Sequence, residues 1–156
     1  MTFKDWVEIL NALLTPLIAV IAVTIAWQQY RVNHNSLRNQ LYERRFAVFK
    51  AFMSYLADVM REGKTNYQRT GQFYAEASEA GFLFSEAISK HMEELYSKGI
   101  DLVSLHEQMY PSDGSPGLPV GEELSKVAKD KGDLIKWFQR QIKITKEMFK
   151  SEMKAG

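Results

Sequence analysis

Three histidines, His34, His91 and His106, are the side chains whose ordinary pKa lies closest to neutrality, so they come first as candidates for proton transfer or metal ligation. None belongs to a ligand pattern. There is no H-E-x-x-H, and Ile88 and Val103 stand where a glutamate would complete the Glu-x-x-His pair of a di-iron bundle around His91 or His106. The histidines therefore read as surface or capping groups. Glu76, Glu79 and Glu86 share related turns of one helical stretch, where a solvated acidic face answering nearby basic segments is the plainer reading than a cation site. The segment Gly114–Gly121 is glycine-rich, but it lacks the Lys-Ser/Thr ending and the preceding strand of a phosphate loop, which leaves turn chemistry. No G-x-S-x-G elbow surrounds any serine, and the absence of cysteine removes disulfides, thiolate metal sites and thiol nucleophiles together. The sequence thus names no catalytic, cofactor-binding or metal-binding residue. No cofactor or small-molecule substrate is expected, and the chain is not expected to be an enzyme.

The remaining candidate contacts are basic and aromatic. Lys129, Lys136, Arg140, Lys143, Lys150 and Lys154 fall on one helical face, about 160° from Phe138 at 100° per residue, so they project away from a core and form a candidate contact face. Asp133 and Glu147 interrupt that face, and a nucleic-acid partner is not expected on so mixed a charge pattern. The formal charge of +1 conceals a distribution in which segments 31–64 and 111–156 are basic and segment 66–110 is acidic.

These groups need helices to hold them. Leu37, Leu41, Val48, Phe52, Tyr55, Leu56 and Val59 keep helical spacing as far as Gly63. A second helical stretch starts near residues 65–68 and runs, with interruptions near Gly81 and Gly99, to Met109. After the turn-rich stretch Pro111–Gly121 a third begins, with Gly121 as cap and Glu122 and Glu123 in the first turn, carrying Leu124, Val127, Leu134, Phe138, Ile142 and Phe149 on one stripe. No alternating strand pattern competes. The expected fold is all-α: a single N-terminal transmembrane helix followed by an antiparallel bundle of three long helices.

The transmembrane expectation rests on the run from Ile9 to Tyr30, which holds no charged residue and would rise about 33 Å as a helix, against a hydrocarbon core of about 30 Å. Trp6 at one end and Trp27 and Tyr30 at the other are spaced as membrane-belt aromatics. Asp5 and Glu8 precede the run where a signal peptide would be basic, so it reads as a retained anchor. Arg31, Arg38, Arg44 and Arg45 follow it, which places the rest of the chain on the cytoplasmic side. The organisation is then an anchor over residues 1–30 and a cytoplasmic helical domain over 31–156. Within the anchor, Ala12, Thr15, Ala19, Ala22 and Ala26 recur at alternating spacings of three and four, and such a stripe of small side chains lets two helices approach closely. Gln29, Asn33, Ser36 and Gln40 continue the same stripe as a polar seam.

Four short stretches, Tyr42-Glu43-Arg44-Arg45-Phe46-Ala47-Val48-Phe49, Ala80-Gly81-Phe82-Leu83-Phe84, Val120-Gly121-Glu122-Glu123 and Leu134-Ile135-Lys136-Trp137-Phe138, together resemble an uncharacterised family of small bacterial membrane-anchored helical proteins. The resemblance spans residues 37–150 and implies bacterial inner-membrane placement, without supplying an activity or a site. The functional expectation is a membrane-tethered protein-interaction or scaffold module with the bilayer and a protein partner or a second copy of itself as its contacts. The alternative is a membrane-acting stress or defence effector.

Overall fold

The structure, a computed structural model, describes the backbone of residues 3–154 and the side chains of Leu14, residues 16–31, Ser36 and residues 38–154. It consists of α1 (Phe3–Glu62), α2 (Tyr67–Ala77), α3 (Ala80–Leu83), α4 (Glu86–Met109) and α5 (Glu122–Lys154), with no strand among the described residues. The chain is all-α, as its periodicity dictates.

The membrane part of the expected fold is corrected. Among the described residues no helix is long and apolar enough to cross a membrane. This overturns the single transmembrane helix, the single-pass topology and the inner-membrane placement drawn from residues 9–30. The physical reason is composition: the helix that holds this run carries charged side chains along much of its length. The same helix then continues through Arg31, Arg38, Glu43, Arg44 and Arg45, and α1 reaches 60 residues.

Two compact units divide the chain, Met1–Leu41 and Tyr42–Gly156. The second holds the core. On α1, Val48, Phe52, Tyr55, Leu56 and Val59 recur at helical spacing and are all buried, while Lys50, Ser54 and Arg61 on the other side are exposed. Gly63 ends the helix with φ +61, its N–H donating to the Val59 carbonyl at 2.9 Å, a left-handed closing residue that a side chain would strain. Asn66 starts α2 by accepting the Arg69 N–H at 2.7 Å on its side-chain oxygen.

Ring contacts fix the directions of the helices. Phe49 and Phe52 meet Phe149 at 5.3 and 5.0 Å, and Tyr55 meets Phe138 at 6.1 Å, so α1 and α5 run antiparallel. Phe52 meets Phe73 while Tyr55 bonds Thr70, so α2 folds back antiparallel along α1. His91 bonds Thr145 and His106 bonds Lys131, so α4 and α5 are antiparallel too.

The bundle is not built of three long helices. The expected middle helix is divided into α2, α3 and α4 by Ser78–Glu79 and by the extended pair Phe84 (φ −134, ψ 176) and Ser85 (φ −67, ψ 163). Ser85 hands its N–H and hydroxyl to the Glu152 carboxylate near the end of α5, so the break is held by a contact distant in sequence. Gly99, by contrast, lies in the unbroken α4. A Cβ there would meet the Tyr55 hydroxyl oxygen at 2.0 Å and Thr70 Cγ2 at 2.9 Å, so glycine is what lets α4 approach α1 and α2.

Candidate functional site

Within the first unit, the helix shows exposed apolar side chains. Leu14, Leu17, Ile18, Val20, Ile21, Val23 and Ile25 are between 49% and 69% exposed. Ala19, Ala22 and Ala26 are exposed among them, as are Trp27 and Tyr30. Ala12, Thr15 and Trp6 lie outside the described residues. Thr24 adds little polarity, because its hydroxyl sits within 2.8 Å of both the Val20 and the Ile21 carbonyl of its own helix. Farther along, the Arg31 guanidinium lies 5.9 Å from the Trp27 ring centre, and Gln40 donates to the Ser36 hydroxyl at 3.4 Å. This is a surface for apolar contact with a polar, hydrogen-bonding end.

In the second unit, the basic residues singled out on α5, Lys129, Lys136, Arg140, Lys143 and Lys150, are all exposed. Local carboxylates answer part of their charge: Lys136 lies 3.2 Å from Asp133 and Lys143 3.8 Å from Glu147. Exposed pairs of this kind contribute little to stability. Arg140 also borders an open cleft of about 530 Å³ between α4 and α5, with Trp137, Lys98, Asp101, Asp130 and Asp133 around it. Lys98 and Asp101 pair across one turn at 3.4 Å, so the cleft wall carries both signs and no single field. Among the described residues no three His, Asp or Glu side chains converge as a metal ion would need.

The histidines part company. His91 is not a surface group: it is buried, stacked on Phe52 with ring centres 5.9 Å apart, and its Nε2 lies 2.8 Å from the Thr145 hydroxyl. Burial pushes its pKa below the usual histidine range, against an opposing pull from the Glu94 charge. His106 is half-buried, and its Nδ1 lies 3.0 Å from the Lys131 ammonium. Its pKa is lowered first by burial and then by the charges of Lys131 and Lys64, with Glu107 opposing them. His34 lies outside the described residues.

Two polar groupings carry no signature in the sequence. Tyr55, Thr70 and Thr65 form a buried hydroxyl chain with both links at 3.2 Å. Beside it Arg69 donates to Asp58 at 2.8 Å and to Ser54 at 3.0 Å, with its guanidinium 5.6 Å from the Tyr55 ring centre. The hydrogen bond from Arg69 holds the Asp58 carboxyl below the usual carboxylate range. These contacts fasten α2 to α1. The signal that points to His91 is its spacing: Ile88, His91 and Leu95 lie on one face of α4, and all three are buried. Comparison with family models, with curated proteins and with solved structures finds no match to this chain.

Proposed function

We propose that the protein is a self-associating interaction module, in which the apolar stretch Leu14–Tyr30 of α1 pairs with the same stretch of a second copy and so brings two helical bundles into one assembly. The observation that carries this reading is the exposure of seven large aliphatic side chains on one short length of helix. Fully burying one such side chain contributes about 1.5–3 kcal/mol, and a folded monomer rarely leaves a contiguous apolar patch of this kind uncovered.

A second copy suits the surface in two ways. Ala19, Ala22 and Ala26 put small side chains at helical spacing, which allows two backbones close approach. Gln29, Ser36 and Gln40 continue that stripe with uncharged groups that both donate and accept, so the face is complementary to itself and carries no charge that would repel its copy.

The test is the mass of the full chain in a mild detergent, which prevents unspecific clustering of the apolar stretch, compared with the Ala19→Leu/Ala22→Leu variant. A discrete oligomer is expected, with dissociation at least about tenfold easier in the variant, equivalent to about 1.4 kcal/mol. A monomer, or an oligomer indifferent to the two leucines, overturns the reading.

A further inference from the structure

Where the end of α4, the middle of α5 and the connection between α1 and α2 meet, positive groups gather without an acidic partner of their own. Lys131 on α5 is half-buried, 3.0 Å from His106 Nδ1 and 6.0 Å from the centre of the Tyr110 ring. Lys64, just after Gly63, is close enough for its charge to act on both His106 and Lys131. Among the described residues neither lysine is in an ion pair, although eight such pairs are made by other side chains. Glu107 is the opposing charge acting on His106, and its carboxylate is engaged by the Ser112 N–H at 2.8 Å.

A half-buried ammonium within the field of a second positive charge is costly to keep, and the cost shows in the groups themselves. Burial and the Lys64 charge lower the Lys131 pKa, and burial, Lys131 and Lys64 lower that of His106. In this arrangement Nδ1 of the neutral imidazole accepts a hydrogen bond from the Lys131 ammonium. Its Nε2–H is then left as a donor. An anion set against the two ammonium groups removes the repulsion, and by drawing the Lys131 ammonium off Nδ1 it lets His106 take a proton from solvent and donate from both nitrogens.

We infer that Lys64, His106 and Lys131 form a binding site for a phosphate-type dianion, either free inorganic phosphate or the head of a small phosphate monoester seated beside the Tyr110 ring. The site lies in the helical bundle and is independent of the self-association of α1. Binding of the dianion takes up a proton at His106, so the affinity for the dianionic form rises as the pH falls through the imidazole's titration range.

The test uses the full chain with 13C-labelled histidine, following the His106 ring signals through a pH titration with and without millimolar inorganic phosphate, at ionic strength matched by sodium chloride. Phosphate is expected to move the His106 midpoint upward while leaving buried His91 in place. Lys131→Met and Lys64→Met should each weaken phosphate binding about tenfold, the loss of one charge-assisted contact. Lys131→Met is expected to fold at least as well as wild type, since it removes an unpaired half-buried cation, so lost binding in it is not lost folding. Phenyl phosphate binding more tightly than inorganic phosphate would assign the site to an ester, and equal binding would assign it to the free ion. A His106 titration that phosphate shifts no more than chloride does, or binding unchanged in both lysine variants, overturns the inference.

Discussion

The two apolar stretches of α1 have opposite fates. Leu14 and residues 16–30 are uncharged and exposed, with aliphatic side chains on every side, whereas Val48–Val59 is apolar on one face and that face is sealed in the core. The second stretch is the less hydrophobic of the two, since Lys50, Ser54 and Asp58 interrupt it. What decides burial is therefore the period. Side chains repeated every three or four residues present one stripe that α2, α4 and α5 can cover together, while a helix apolar on every side presents no single face to seal.

The largest effect that separates the stretches is expected at Phe52. Its ring meets Phe73, His91 and Phe149 at 5.3, 5.9 and 5.0 Å, so Phe52→Ala removes the centre of the aromatic core. The cost is about 3–5 kcal/mol, a large share of the total stability of about 5–15 kcal/mol typical of a domain. Leu17→Ser/Ile21→Ser should leave the bundle's stability within about 0.5 kcal/mol. Urea denaturation followed through Trp137, with Trp6 and Trp27 replaced by Phe, reads both. If the Leu17/Ile21 pair costs as much as Phe52, the first stretch is part of the same cooperative core and the comparison fails.

A smaller effect tests how closely the buried stretch is approached. Gly99→Ala places a methyl group where the Tyr55 hydroxyl now sits, 2.0 Å from the new Cβ, and that buried ring has no open side to retreat to. The expected loss is about 1–3 kcal/mol from overpacking. Tyr55→Phe alone should cost about 1 kcal/mol by removing the hydrogen bond to Thr70. Because it also clears the space, the double variant should be more stable than the sum of the two losses, with a coupling of about 1 kcal/mol in a thermal or urea cycle. Strict additivity would show that α4 adjusts its distance freely.

Much of the buried stretch is legible in the order of its residues alone. They carry the helical period, Gly63 marks its end, and Gly121 with Glu122 and Glu123 marks the start of α5. The breaks in the middle are not legible, because Ser85 is extended where Glu152, far along the chain, takes its N–H and hydroxyl. Gly99 reads as an interruption of α4, but its role is set by Tyr55 and Thr70 across the interface. The run from Ile9 to Tyr30 reads as an anchor from its lack of charge, and that expectation fails because no helix among the described residues is long and apolar enough to cross a membrane. His106 gives no motif, because its lysine neighbours come from segments about 25 and 40 residues away along the chain and meet it only through the antiparallel packing of the bundle. His91 reads as a surface group when a lone histidine is weighed as a motif, and as a buried one when it is weighed as a member of the face it shares with Ile88 and Leu95.

The smallest effect concerns that histidine. Burial lowers the pKa of folded His91, so the unfolded chain binds a proton that the folded chain refuses. Stability from the neutral ring is complete above the unfolded value of about 6.5, and it is lost as the pH falls through that value toward the folded one. Asp58, whose folded pKa is also lowered, acts in a separate window: its contribution is present above an unfolded value of about 3.9 and is lost below it. Between about pH 7.5 and 5 the urea midpoint of the wild type should therefore fall, and His91→Gln should flatten most of that fall. His106→Gln should remove a smaller part, because that ring is less deeply buried. An unchanged slope in His91→Gln would mean that the face of α4 stacked on Phe52 opens to water in the folded protein, and would make the buried stretch of α1 more like the exposed one than its packing implies.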